Sequence, residues 1–385
     1  MREKNIDNNR ALWLSDTFDD QNGVSTALQA VHQEIKSRNL PVDLMVCSKT
    51  LQSDDHLIVI RPVREFALPL YRQQPFRVPN YFSIHRIFQK GKYNRVICST
   101  EGPMGLAALY LKNRFSVEAT FFLHTDWITF ARDALAMEQT GLDRMERLIL
   151  FFYRRFNNIV VLNTDQQQWL IRNPMGFEPS RVFLSAHWAD AQFTELPAGH
   201  YTGYPFDVQQ PVLLYAGRLS KEKGVFDLPE IFRMVRAVFP EVQLVVAGTG
   251  PAGEELQELI PEASFLGWVS HEAMPSLFHV ADILILPSRF DTFSCAALEA
   301  LGCGLPVAAY NVKGPKDIIL DSVNGFLVET PQEMAGKTVE YLLDPALRIY
   351  MKKAAVQRAN EYKPGPIMDR LLQDIGIKTE TCLFE

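Results

Sequence analysis

Residues Val212–Gly224 read VLLYAGRLSKEKG. An apolar run, Val212–Tyr215, stops at Ala216-Gly217 and gives way to a loop holding Arg218 and Lys223. A run this short, ended by glycine, reads as a buried strand. The same rhythm continues downstream, predicting strands at Val242–Ala247, Ser264–Leu266, Ile283–Leu286 and Val307–Ala309. Upstream it predicts strands at Ala11–Ser15, Val42–Cys47, Leu57–Ile60, Arg95–Cys98 and Ala119–Leu123, and a helix over Val24–Lys36. Strands that alternate with helical segments, and are apolar on both faces, make parallel sheets covered on two sides. The fold class is therefore α/β, with two doubly wound domains facing a central cleft.

The Pro- and Gly-rich stretch Leu196–Pro211 separates the two series and sets the domains at 1–203 and 204–362. Helices are expected over Glu333–Leu343 and Ala346–Glu361. Pro364-Gly365-Pro366 should then redirect the chain before a last helix at Ile367–Ile375, within a C-terminal segment 363–385.

The 385 residues are 47% hydrophobic and 22% charged, which excludes fibrous and largely disordered classes. A net charge of −6 argues against nucleic acid as a partner. The charge is uneven: residues 1–200 carry 23 Lys or Arg against 21 acids, and residues 201–385 carry 16 against 24. Cys47, Cys98, Cys295, Cys303 and Cys382 form no C-x-x-C pair, which excludes a zinc knuckle and fits a reducing compartment. The polar N-terminus has no signal-peptide core, and no run approaches the roughly 20 apolar residues of a spanning helix. The expected location is cytoplasmic, with peripheral attachment to the inner face of the membrane as an extension.

Parallel sheets bind ligands beyond the carboxyl ends of their strands, so the informative residues follow the apolar runs. Arg218 can grip phosphate oxygens bidentately and Lys223 adds a mobile point charge, a pairing suited to a diphosphate. After Ile283–Leu286 come Asp291, Thr292, Phe293 and Ser294, then a helix from Cys295. Ser294 is an N-cap candidate, and the free N–H groups of that helix start suit an anion. Asp291 and Glu299, one turn into the helix, are acceptors for sugar diols. Taken alone, Asp291 reads as a turn former and Glu299 as an exposed helix charge. Gly248-Thr249-Gly250-Pro251-Ala252-Gly253 spells G-x-G-x-x-G, but it follows the second strand of its domain and lacks the distal acid of a dinucleotide site. It reads instead as a glycine-rich turn beside a nucleotide.

Ala216-Gly217-Arg218 through Lys223-Gly224, Val246–Gly250, Phe265-Leu266-Gly267-Trp268-Val269, and Asp291 through Glu299 together resemble the retaining glycosyltransferases of family 4. Ser15–Phe18, Asn22–Ser25 and His124-Thr125-Asp126 match in the first half. The resemblance implies the metal-independent GT-B fold, with segment 363–385 crossing back to the first domain. It implies a hexosyltransferase (EC 2.4) that uses a UDP- or GDP-hexose and no cofactor. By position, Arg218 and Lys223 hold the diphosphate, Asp291 contacts the sugar and Glu299 the ribose. His124 lies beside the sugar, although a lone histidine there would otherwise read as a core residue. Gly23, Gly217, Gly250, Val269, Thr292, Phe293 and Ser294 complete the donor site. Asp291 stands where the family usually has Glu, and Ser294 where Gly is common. The alternatives are a non-catalytic nucleotide-sugar-binding protein, a nucleotide-sugar epimerase of the same fold, or a phosphorylase, for which no cofactor lysine is marked.

The Asp-Thr-Phe variant is most like members acting on lipids or lipid-linked acceptors, so the expected acceptor is a lipid, a lipid-linked sugar or a glycan. Residues 61–95 hold eight Lys or Arg against Glu65 alone, interleaved with aromatics. Residues 144–155 repeat the pattern. Either strip could lie on an anionic membrane surface, or be a packed helix with solvated arginines.

Overall fold

The computed structural model describes residues 9–20, 22–68, 71–133, 137–172, 175–194 and 205–378. The chain divides into two compact units. Unit 1 is drawn from Met1–Ile128, Glu138–Ala186 and Pro364–Glu385, and unit 2 from Thr129–Met137 and His187–Lys363. The division falls at Ala186/His187 rather than at 203, and most of the expected linker, 196–204, lies outside the described residues.

Unit 1 holds β1 (Ala11–Ser15), β2 (Val42–Cys47), β3 (Leu57–Ile60), β4 (Pro62–Leu68), β5 (Tyr71–Pro79), β6 (Arg95–Cys98), β7 (Glu118–Leu123), β8 (Asn158–Val161) and β9 (Val182–Leu184). Seven of them form a parallel sheet in the order β3-β2-β1-β6-β7-β8-β9, while β4 and β5 pair as a separate antiparallel hairpin. β1 and β2 are buried residue by residue, as strands sandwiched between helical layers must be. Trp13 is fully buried in β1 and its indole N–H donates to Ser99 Oγ at 2.7 Å. The core beneath gathers Leu12, Leu14, Met45, Val96, Phe121 and Tyr153.

Unit 2 holds β10 (Val212–Ala216), β11 (Gln243–Ala247), β12 (Ser264–Gly267), β13 (Ile283–Leu286), β14 (Val307–Tyr310) and β15 (Gly325–Val328). All are parallel, in the order β12-β11-β10-β13-β14-β15. Here β10 and β13 are wholly buried, and the core gathers Leu213, Tyr215, Leu244, Ile285, Tyr310 and Phe326.

Two expectations shift. The last helix spans Pro364–Asp374 and starts at the proline triplet itself, since a proline in the first turn sacrifices no helical hydrogen bond. It lies against the helix Gly23–Arg38, where Arg38 donates to Asp369 Oδ1 at 2.6 Å and to Gly365 O at 3.3 Å. The basic strip 61–95 is not one surface either. Its first part is the β4–β5 hairpin, where Arg77 is half-buried and paired with Asp19, Asp20 and Glu65. The side chains of 71–74, Arg72 included, lie outside the described residues.

Candidate active site

The strand order of unit 2 reverses beside β10. The chain runs out through β11 and β12, then resumes on the other side with β13. The loops after β10 and β13 therefore part at the carboxyl edge and leave the crevice where parallel sheets hold ligands. Both loops carry charge.

After β10, Lys221–Lys223 make one turn of 3-10 helix that ends at Gly224, with φ of +68°. A β-carbon at Gly224 would stand 1.8 Å from the Pro287 carbonyl oxygen. Only glycine lets the two loops press together here. That approach sets Lys223 Nζ 3.4 Å from Asp291 Oδ2, so a cation and an acid 68 residues apart meet at the switch point. Tyr215 Oη donates to the Arg218 carbonyl at 2.8 Å and anchors the loop. The Arg218 guanidinium makes no ion pair among the described residues and is left to an anion.

Gly217 ends β10, exposed, with its N–H donating to Ala247 O at 3.0 Å. A β-carbon at Gly250 would lie 2.2 Å from Leu219 O, so the glycine-rich turn packs under the cation loop. Its glycines are explained by that packing and need no dinucleotide.

Thr292, Phe293 and Ser294 are buried between Asp291 and the helix Cys295–Gly302. Ser294 holds the N-cap position, but its hydroxyl makes no capping bond, which corrects the expectation that it caps. The first-turn N–H groups, four to six residues past Asp291, thus receive no cap from Ser294, and that of Cys295 donates to Phe293 O at 3.1 Å.

Glu299 sits one turn into this helix, and burial pushes its carboxyl above the usual range, while His271 partly opposes this. His271 Nε2 lies 3.4 Å from Glu299 Oε1, its Nδ1 is 2.8 Å from the Gln192 amide nitrogen, and Asp190 is 3.7 Å away. The hydrogen bond to Glu299 raises the imidazole's pKa. Sequence reading missed His271, Asp190 and Gln192. The signal for His271 was its place in the loop just after a strand. Val269, in the same loop, lines a groove with Pro205, Leu266, Trp268, Ala273 and Leu277.

Gly23 and His124 belong to unit 1. Gly23 opens its helix beside the Asn22 cap, whose side chain accepts from Ser25 N at 2.9 Å, and a β-carbon there would meet open space. His124 follows β7, is buried, packs its ring 4.4 Å from Phe122, and lies 3.0 Å from Ser99 Oγ. At the switch point of this sheet, between β1 and β6, Asp16 accepts from Thr100 Oγ1 at 2.6 Å and from Met104 N at 2.9 Å. Nearby, Tyr153 Oη donates to Glu101 Oε1 at 2.6 Å. Burial lifts Asp16 to about 6 and Glu101 to about 7.

The family described as glycosyl transferases group 1 matches residues 203–358, and that described as glycosyltransferase family 4 matches residues 21–185. The chain is 31% identical over 236 residues to an alpha-D-kanosaminyltransferase of Streptomyces kanamyceticus, a match spanning 57% of this chain and 61% of that one. In structure it is similar to a sucrose-phosphate synthase of Thermosynechococcus elongatus (TM-score 0.78, 18% identity, 95% and 99% of the two chains). It is also similar to HepE of Anabaena in complex with UDP and glucose (TM-score 0.71, 18% identity, 95% and 99%). The fold is that of GT-B glycosyltransferases, with two Rossmann-like domains.

Proposed function

Because the chain belongs to the group 1 glycosyltransferases of family 4, we propose that it moves a hexosyl group from a UDP- or GDP-hexose to a lipid, lipid-linked or glycan acceptor. Transfer retains the anomeric configuration and uses no metal ion. The observation that carries this reading is the meeting of Lys223 and Asp291 at the switch point of unit 2, with Arg218 in the same loop as Lys223.

Breaking the sugar–phosphate bond places negative charge on the departing diphosphate. Arg218, Lys223 and N–H groups at the start of the helix Cys295–Gly302 would bind that charge where it develops, which lowers the barrier rather than only tightening the ground state. Asp291 accepts from hydroxyls of the transferred sugar and Glu299 from the ribose. The family resemblance assigns His124 the place beside the sugar. No carboxylate is marked as a covalent nucleophile, so the acceptor attacks from the face the diphosphate leaves.

The test is Lys223→Ala. The variant should fold and still bind nucleoside diphosphate weakly, but lose transfer by at least about a hundredfold, the usual effect of removing one charge-stabilising group. Turnover within a few-fold of wild type would overturn the diphosphate role. Activity should also survive EDTA, and a loss restored by magnesium would refute the metal-free assignment.

A further inference from the structure

Three helices of unit 1, Tyr81–Gly91, Pro103–Phe115 and Gln139–Tyr153, lie side by side. His85 Nδ1 is 2.8 Å from Tyr110 Oη, and the Phe88 and Phe115 rings are 4.9 Å apart, which ties the first to the second. A β-carbon on Gly105 would come 2.8 Å from the Phe152 ring, and Lys112 Nζ donates to the Arg155 carbonyl, which ties the second to the third.

Their solvent-facing sides share an unusual composition. Phe82 is 85% exposed, Leu148 69%, Phe151 61% and Leu106 57%, with Tyr110 beside Leu106 one turn on. Among them stand Arg86, Lys90, Arg114, Arg144, Arg147 and Arg155, all exposed. The first two helices contain no acid, and the third only Asp143 and Glu146. Arg155 rests its guanidinium 3.9 Å from the Phe151 ring centroid, so a cation and an apolar wedge project together. Isolated exposed apolar residues need no explanation, but this many on adjoining helices do. On a chain of net charge −6, a cationic patch of this kind opposes the overall sign.

We propose that this three-helix face docks on an anionic lipid bilayer, with Phe82, Leu148 and Phe151 entering the headgroup boundary and the six cations contacting anionic headgroups. Large apolar side chains framed by Lys and Arg on helices lying flat are what an interfacial site requires. A second copy of the same face is a poor occupant, because it would bring like charges together. The inference deepens the lipid-acceptor part of the function above and rests on it for its purpose, whereas binding is measured without transfer.

The experiment is flotation of the full chain with phosphatidylcholine vesicles, with and without phosphatidylglycerol, at low and high salt. Wild type should float only with the anionic vesicles, and less so in salt. Arg144→Ala with Arg147→Ala should weaken partitioning by roughly 25-fold, from about 1 kcal/mol per cation. Leu148→Ser with Phe151→Ser should weaken it at least as much. Unchanged melting temperature and unchanged stabilisation by UDP or GDP show each variant folded and its donor site intact. Failure of wild type to float, undiminished flotation of both variants, or dimerisation abolished by the same changes would each overturn the docking face. Stabilisation by nucleotide in that case leaves the transferase reading standing.

Discussion

Replacing Glu101 with Gln should stabilise unit 1 in a way that depends sharply on pH. Glu101 lies at the end of the β6 loop, half-buried, with the Tyr153 hydroxyl donating to it at 2.6 Å. Burial raises its carboxyl from 4.5 to about 7, against the lowering by its hydrogen bonds, and the nearby Asp16 adds to the rise. A folded pKa above the unfolded one means that the group costs nothing below about pH 4.5. The cost grows as the unfolded chain ionises and the folded one does not, and it is complete above about pH 7. The interval of about 2.5 pH units is worth roughly 3 kcal/mol at 1.36 kcal/mol per unit. Gln keeps an acceptor for Tyr153 but cannot ionise. Relative to wild type, Glu101→Gln should therefore gain up to about 3 kcal/mol between pH 4.5 and pH 8, a relative rise of roughly 5–10 °C in melting temperature for a unit of this size. Thermal unfolding of both proteins across that range is the assay. Melting curves that run parallel with pH, separated by a constant offset, would refute the assignment of a buried, reluctant carboxyl.

Three further outcomes follow from unit 2. His271 carries a pKa raised by Glu299, so its proton is lost as pH rises through that value, and an anionic nucleotide then loses a neighbouring cation; affinity for UDP or GDP should fall over the same interval, and His271→Asn should flatten the profile in a binding titration. Gly224→Ala forces a left-handed alanine and a β-carbon 1.8 Å from Pro287 O, and should cost at least about 2 kcal/mol and separate Lys223 from Asp291, whereas Gly336→Ala, mid-helix with nothing within 4 Å, should stabilise by up to about 1 kcal/mol in chemical denaturation.

Most of the strands that were legible are buried on both faces, β3 and β12 being the exceptions. Ile283–Leu286 is an unbroken apolar run, and Val42–Cys47 is broken only by Asp43, because helices cover both above and below. What escaped was short or off the main sheet. β8, β9 and β15 were not read, although β8 and β15 are as long as β6 and β13, at four residues. The β4–β5 hairpin carries Pro62, Pro75 and Pro79 with several arginines and glutamines, a composition that argues against a strand in a sheet interior and suits a separate ribbon. In the site, Arg218, Lys223 and Asp291 were readable because each follows an apolar run directly. His271 and Asp190 were not assigned, although His271 also follows a strand, since they approach Glu299 from segments 28 and 109 residues distant. Ser294 shows the opposite error: its position was right, but the bond expected of its hydroxyl is not made.

The Lys223–Asp291 pair also suggests how the site handles charge before its donor arrives. A cation held in a crevice without an anion would pay for its desolvation, and an acid beside it meets that need. At 3.4 Å the contact is long for an ion pair, and both side chains stay partly open to solvent, so the pairing is easily exchanged. An arriving diphosphate carries more charge than one carboxylate and would take Lys223 for itself. Asp291, released from the lysine, would then be free to accept from sugar hydroxyls while Arg218, unpaired throughout, draws the phosphate in. On the proposed reading this one loose contact would serve two states: it would balance Lys223 with an acid, and then leave each side chain to a different part of the same donor.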